Sequence, residues 1–151
     1  MLYEVTHIGI TVSNLEQSIA FYRDMLGLML IGTMTMEGDE TDRLFQMKGC
    51  VAKIAYLNGS NQGSSPPIEL IEFVSEKSDI DAASLRKTSI SEVCFRVENL
   101  DRVYNDLLSK GVKFLSEPQF FDFRKHGFSK SKAVYFKDPD GIILELMEYL
   151  I

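Results

Sequence analysis

The sequence predicts an α+β protein of two paired βαβββ modules, which form a curved, mixed, eight-stranded sheet around a cleft. Three observations lead there. The first is an internal repeat: THIGITVSNL at 6–15 aligns with SEVCFRVENL at 91–100, and IELIEF at 68–73 aligns position by position with LELMEY at 144–149. A repeat of this kind decides architecture before any single element does. The second is hydrophobic periodicity, which alternates in twos along the repeated segments and shifts to a helical spacing just after each Asn-Leu. The third is punctuation, with Gly27 and Gly111 placed where each helix should stop. The 151 residues suit a single domain, with one module over about 1–75, a polar linker over 76–88 and a second module over about 89–151.

In chain order, a strand over about 5–12 meets Ser13-Asn14, which offers a helix N-cap. An amphipathic helix over 15–26 presents Ile19, Phe21, Tyr22, Met25 and Leu26 for burial. Strands follow near 28–36, 51–57 and 67–74. The second module repeats the order with a strand at 90–97, a helix at 100–110, and strands near 112–116, 132–137 and 142–149. Asp138-Pro139-Asp140-Gly141 has the residue order of a tight turn. The Gly-, Ser-, Asn- and Pro-rich stretch 59–67 reads as a flexible hairpin loop. Residues 120–131 carry Phe120, Phe121, Phe123, Arg124, His126 and Phe128. They read either as an irregular strand with packed aromatics or as a lid over a pocket.

Composition removes several functional classes. The net charge is −6 and no basic stripe is present, so nucleic-acid binding is not expected. The first residues lack a basic n-region and a small-residue cleavage site, and no apolar run approaches a membrane span. No membrane association is expected, and the chain reads as soluble and cytoplasmic. Cys50 and Cys94 do not form a CxxC pair, which suits a reducing compartment. Cys94, inside an apolar run, reads as a small core residue.

Strand alternation divides the remaining residues between two faces. Ile8, Ile10 and Val12 turn to the helix, while His7, Gly9 and Thr11 face the other way. In the second module, Val93, Phe95 and Val97 turn to the helix, and Glu92, Cys94 and Arg96 face away. Glu69, Ile71 and Phe73 share one face of their strand, as do Glu145, Met147 and Tyr149. Each module therefore offers two ionisable residues at equivalent positions, His7 with Glu69 and Glu92 with Glu145. One imidazole and three carboxylates suit a divalent cation. The alternative for Glu69 and Glu145 is a solvated strand carboxylate, the role assigned to Glu72 and Glu148. Arg96 is expected to pair with Glu92 or another carboxylate, or else to hold an anionic group of a substrate. Phe73 and Met147 line the same pocket, Arg124 and Lys125 are candidates at its mouth, and His126 reads as a surface residue.

THIGITVSNLEQSIAFYRDMLGL at 6–28, followed by KDPDGIILELME at 137–148, resembles the vicinal-oxygen-chelate superfamily of glyoxalases, bleomycin-resistance proteins and dioxygenases. The likeness to glyoxalase I and methylmalonyl-CoA epimerase spans the whole chain. It implies a metal-dependent lyase or isomerase acting on a small carbonyl compound or thioester through an enediolate. By position, the implied ligands of one divalent ion (Mn, Mg, Zn, Ni or Co) are His7, Glu69, Glu92 and Glu145. Glu69 or Glu145 would move the proton, and a homodimer is implied. Glu92 departs from the pattern, because glyoxalase I and the epimerases have His there. With His7 and His126 the only histidines, a ring-cleaving iron dioxygenase is disfavoured. The non-enzymatic alternative is a metal-free protein that binds an antibiotic or other small molecule.

Overall fold

The structure, a computed structural model, describes residues 1–59, 65–77 and 79–151. The loop expected over 59–67 therefore lies mostly outside the described residues, as does one position of the linker. The described residues form two compact units, Met1–Ile80 and Asp81–Ile151, each with its own mixed sheet.

The first unit contains β1 (Ile8–Thr11), α1 (Leu15–Ile19), β2 (Met29–Met36), α2 (Asp39–Phe45), β3 (Ala52–Asn58) and β4 (Ile68–Phe73). Its sheet has the order β1-β4-β3-β2, with β1 parallel to β4 and the other pairs antiparallel. Asn14 caps α1, its Oδ1 accepting the backbone N–H of Gln17 at 2.9 Å. Beyond Ile19 the helix widens into a π-helical segment over Ala20–Met25, where the Leu26 N–H donates to the Phe21 carbonyl five residues back. Leu15, Ser18 and Tyr22 are buried along this helix, while Ile19, Phe21, Met25 and Leu26 are only partly covered. Gly27 ends it at a φ of 77°, a conformation that costs glycine little.

The second unit contains β5 (Val93–Arg96), α3 (Leu100–Ser109), β6 (Lys113–Phe114), β7 (Gln119–Asp122), a 3-10 turn (Arg124–His126), β8 (Lys130–Lys137) and β9 (Ile143–Leu150). The path β5-β9-β8-β6 mirrors that of the first unit, and β7 also pairs with β8. Among the described residues there are thus nine strands in two sheets, where eight strands in one sheet were expected. The extra strand arises because the partner expected along β8 is broken into β6 and β7. Pro118 stands between them and has no N–H for the ladder. The α+β class and the repeated module order hold. Of the stretch 120–131, read as an irregular strand or a lid, residues 120–122 belong to the regular strand β7.

Each sheet buries one face under its own helix. In the first unit Ile10, Leu57, Ile68 and Leu70 are covered, and in the second Val134, Phe136, Leu144 and Leu146. Glu72 and Glu148 point to this helical side and are not simply solvated. Glu72 accepts the Leu15 N–H at 2.7 Å, and Glu148 accepts those of Asn99 and Leu100 at 3.1 and 2.9 Å. Each last strand thus caps its module's helix, where orphan N–H groups and the helix dipole favour a carboxylate. The helix α2 was not anticipated. It closes on itself through Asp42, whose carboxylate accepts the N–H groups of Gly49 and Cys50, and it carries Phe45 edge-on to Phe73 at 5.1 Å. Among the described residues no helix is long and apolar enough to cross a membrane.

Candidate functional site

The face away from the helices carries the ionisable residues, arranged in rows across each sheet. In the first unit, register places Gly9, Glu69 and Tyr56 side by side. Glu69 is 8% exposed. The Tyr56 hydroxyl donates to Glu69 Oε1 at 2.5 Å, and His7 Nε2 lies 3.3 Å from Glu69 Oε2. The His7 and Tyr56 rings meet edge-on at 5.9 Å. The hydrogen bond to Glu69, together with burial, pushes the Tyr56 hydroxyl up to about 12, so it stays a donor at neutral pH. Gly9 adjoins the carboxylate, and a Cβ there would make only an ordinary contact, 3.5 Å from Glu69 Oε2.

The second unit repeats the row with Cys94, Glu145 and Tyr135. Glu145 is 7% exposed. Burial first, and then the charge of Glu92, raises Glu145 above the ordinary carboxylate value, against a lowering hydrogen bond from Cys94. Cys94 is not a core residue. It reaches solvent on the same face as Glu145, because alternation opposes it to the buried side of β5. Desolvation by its neighbours, the hydrogen bond to Glu145 and the two carboxylate charges push its thiol up to about 12, so it is a poor nucleophile. Tyr135 is raised by burial and then by Glu145 and Glu92.

His7 with Glu69 and Glu92 with Glu145 are thus brought together as pairs, one in each unit. Among the described residues, no three His, Cys, Asp or Glu side chains stand in a group that could hold a metal ion. The donors fit a divalent cation in kind. Glu69 keeps one oxygen toward the His7 imidazole while Tyr56 holds the other, which is the support a liganding carboxylate needs. Tyr56, Tyr135 and Cys94 were missed as participants. Register was the missing signal, since alternation shows which face a residue takes but not which residue of the next strand lies beside it.

The remaining candidates lie further along the same faces. Arg96 makes no ion pair among the described residues, contrary to the expected pairing with Glu92. Its guanidinium lies 5.8 Å from the centroid of the Tyr149 ring. Met147 neighbours Arg96 across the β5–β9 ladder, and Phe73 is packed against Phe45. Arg124 is bound by Asp122, with contacts of 2.8 and 2.6 Å, and both side chains lie on the surface. His126, in the 3-10 turn, is exposed as expected, and so is Lys125.

The solved structures that this chain resembles include a glyoxalase family protein from Bacillus cereus, with TM-score 0.86, 23% identity and 100% and 97% of the two chains covered. Glyoxalase I of Leishmania major, described as trypanothione-dependent, superposes with TM-score 0.68 at 20% identity, over 97% and 87% of the two chains. At these identities the likeness shows the fold. In sequence, the chain is 31% identical over 151 residues to uncharacterized protein YwkD of Bacillus subtilis, covering 98% of each. It is 29% identical over 154 residues to the lactoylglutathione lyase of Schizosaccharomyces pombe, covering 96% of this chain but only 47% of that enzyme. The repeat, the paired sheets and a match across residues 4–146 agree, and the chain belongs to the Glyoxalase/Bleomycin resistance protein/Dioxygenase superfamily.

Proposed function

We propose that the protein is a metal-dependent isomerase or lyase acting on a small carbonyl compound or thioester. The observation that carries this reading is the repeated buried carboxylate. Glu69 and Glu145 occupy equivalent strand positions, each faces a Tyr on the neighbouring strand, and each stands near an ionisable residue of the first strand. Burying a carboxylate is costly unless something compensates it, and the same burial repeated in two modules points to use rather than accident.

In this reading His7, Glu69 and Glu92 would hold one divalent ion, and Glu145, the fourth candidate ligand, is the carboxylate kept for the proton. When bound, that ion supplies Lewis-acid stabilisation of negative charge on substrate oxygens. Glu69 is the anchored ligand, because Tyr56 fixes one of its oxygens. Glu145 is the proton carrier, because burial and Glu92 raise its affinity for a proton above that of an ordinary carboxylate. Its carboxylate takes the proton from the carbon next to the carbonyl and returns it to the neighbouring or the same carbon, so the net change is an isomerisation. The Tyr56 hydroxyl remains protonated and donates to Glu69 throughout. The protein works as a homodimer on a soluble substrate, and the exposed apolar side chains Met29, Leu30, Ile31 and Met34 on edge strand β2 support self-association.

Calorimetric titration with Mn²⁺, Mg²⁺, Zn²⁺, Ni²⁺ and Co²⁺ tests the site. Glu92→His replaces a carboxylate by an imidazole and is expected to strengthen Zn²⁺ and Ni²⁺ binding relative to Mn²⁺. Absence of divalent binding in both the wild type and Glu92→His would overturn the metal reading and favour a metal-free binding protein. Turnover of methylglyoxal–thiol adducts or methylmalonyl-CoA by metal-loaded protein is the expected catalytic result. Loss of that turnover in Glu145→Gln, with metal affinity largely kept, would identify the proton carrier.

A further inference from the structure

Beyond Glu145, the same face of the second sheet carries a feature that its repeat partner lacks. Side chains directly opposed across a ladder share a face, so the register lays out successive rows. The row after Cys94–Glu145–Tyr135 is Arg96–Met147–Ala133–Gln119. The next is Tyr149–Ser131–Phe121. Rows on one face are about 6–7 Å apart along the strands. The third row therefore lies about 13 Å from the Glu145 row, and Arg96 stands between them.

The aromatic groups of this end are open. Tyr149 is 52% exposed, Phe121 38% and Phe123 43%. Phe121 and Phe123 are stacked, with centroids 5.3 Å apart and planes within 10° of parallel. In the first unit the residue equivalent to Tyr149 is Phe73, and it is covered by the Phe45 ring brought in by α2. Tyr149 instead meets the Arg96 guanidinium. A ring contact gives the N–H donors of the guanidinium no acceptor oxygen, so they can still meet a carboxylate or phosphate. Among the described residues Arg96, like Arg86 and Arg102, has no acidic partner, whereas Arg23, Arg43 and Arg124 each have one; what sets Arg96 apart is its place against the Tyr149 ring. A lone guanidinium held over a ring, beside an uncovered aromatic pair, is an arrangement for binding an anion with a flat apolar portion.

We infer that Arg96, Tyr149, Met147, Phe121 and Phe123 form a subsite for a small organic anion with a flat, aromatic or conjugated portion. Arg96 takes the carboxylate or phosphate, and Tyr149 and the Phe121–Phe123 pair take the flat portion. The like charges of Glu92 and Glu145 at the other end of the face set the direction in which such a ligand lies. This names the substrate class of the site proposed above and rests on that reading only for the reaction, since binding here needs no metal.

The test uses the chelator-treated chain of 151 residues and 1-naphthoate, with 1-naphthamide and cyclohexanecarboxylate as comparison probes, followed by NMR and calorimetry. The expected result is saturable perturbation of the Arg96, Tyr149 and Phe121 resonances by 1-naphthoate. Arg96→Gln should weaken naphthoate about tenfold or more and abolish its advantage over the amide, since a charged hydrogen-bonding partner is lost. Tyr149→Leu should weaken naphthoate about three- to tenfold while leaving cyclohexanecarboxylate nearly unchanged, since aromatic contact is lost and apolar bulk is kept. Retention of the native NMR dispersion by each variant keeps loss of binding separate from loss of fold. Equal affinity for acid and amide in the wild type would overturn the inference. So would perturbations at these residues that follow protein concentration rather than probe concentration, which would mark the face as a contact between copies. Metal binding without naphthoate binding sinks this inference alone, and naphthoate binding without metal binding sinks the metal reading alone.

Discussion

The balance at Glu145 is set by three neighbours. Burial and the nearby Glu92 charge disfavour its ionised form, and the hydrogen bond from Cys94 only partly compensates. An acid whose folded value lies above its unfolded one binds protons more readily when folded, so stability falls as pH rises through that window. The cost is absent below the ordinary value of 4.5 and fully present above the raised value. Glu145→Gln keeps an acceptor for the Cys94 thiol and removes the charge. In chelator, the variant is therefore expected to be more stable than wild type at neutral pH, with the gap closing as pH falls toward 4.5. Denaturant unfolding of both proteins from about pH 4 to pH 8 measures it. A gap that stayed constant or widened on acidification would show that Glu145 carries no such cost.

At the scale of the element, each module joins its last strand to its own helix through a carboxylate. Among the described residues Glu148 accepts the N–H groups of Asn99, the N-cap of α3, and of Leu100, its first residue, while Glu72 accepts that of Leu15, the first residue of α1. Both helices also carry an Asn N-cap, Asn14 and Asn99. Glu148→Ala is expected to lower unfolding stability by about 1–2 kcal/mol, the range of a lost helix cap, and Glu72→Ala by less. Glu148→Gln, which keeps an acceptor but loses the charge that favours a helix N-terminus, should fall between Glu148→Ala and wild type. Urea unfolding gives the ranking, and equal losses in Glu148→Ala and Glu72→Ala would argue against the second N–H bond as the difference. The extra strand β7 has an element-scale cause as well, because Pro118 interrupts the partner of β8 and the chain resumes pairing afterwards.

At the scale of the molecule, the repeat makes a stoichiometric prediction. If the two pairs serve one ion, titration should saturate at one divalent ion per chain. His7→Ala and Glu92→Ala should each weaken that one event. Native mass spectrometry and calorimetry check this. Two ions per chain, with His7→Ala affecting only one of them, would mean that each module works alone. The modules have also diverged: α2 covers Phe73 in the first, whereas Tyr149 in the second is left half exposed beneath Arg96.

The sequence by itself determined the α+β class, the repeat, the helix-capping asparagines, the glycine stops and the face on which His7, Glu69, Glu92, Arg96 and Glu145 stand. These are properties of local periodicity, which travels with the chain. Tertiary structure decided what those properties leave open. It set Tyr56 beside Glu69 and Tyr135 beside Glu145, because register depends on how strands distant in sequence pair. It turned Glu72 and Glu148 from solvated carboxylates into caps, because a helix N-terminus in the same module lies over the end of that strand. It left Cys94, already on that face by alternation, open to solvent, and it set Arg96 against Tyr149 rather than Glu92, because the cover over each residue comes from segments its own neighbours in sequence cannot reveal.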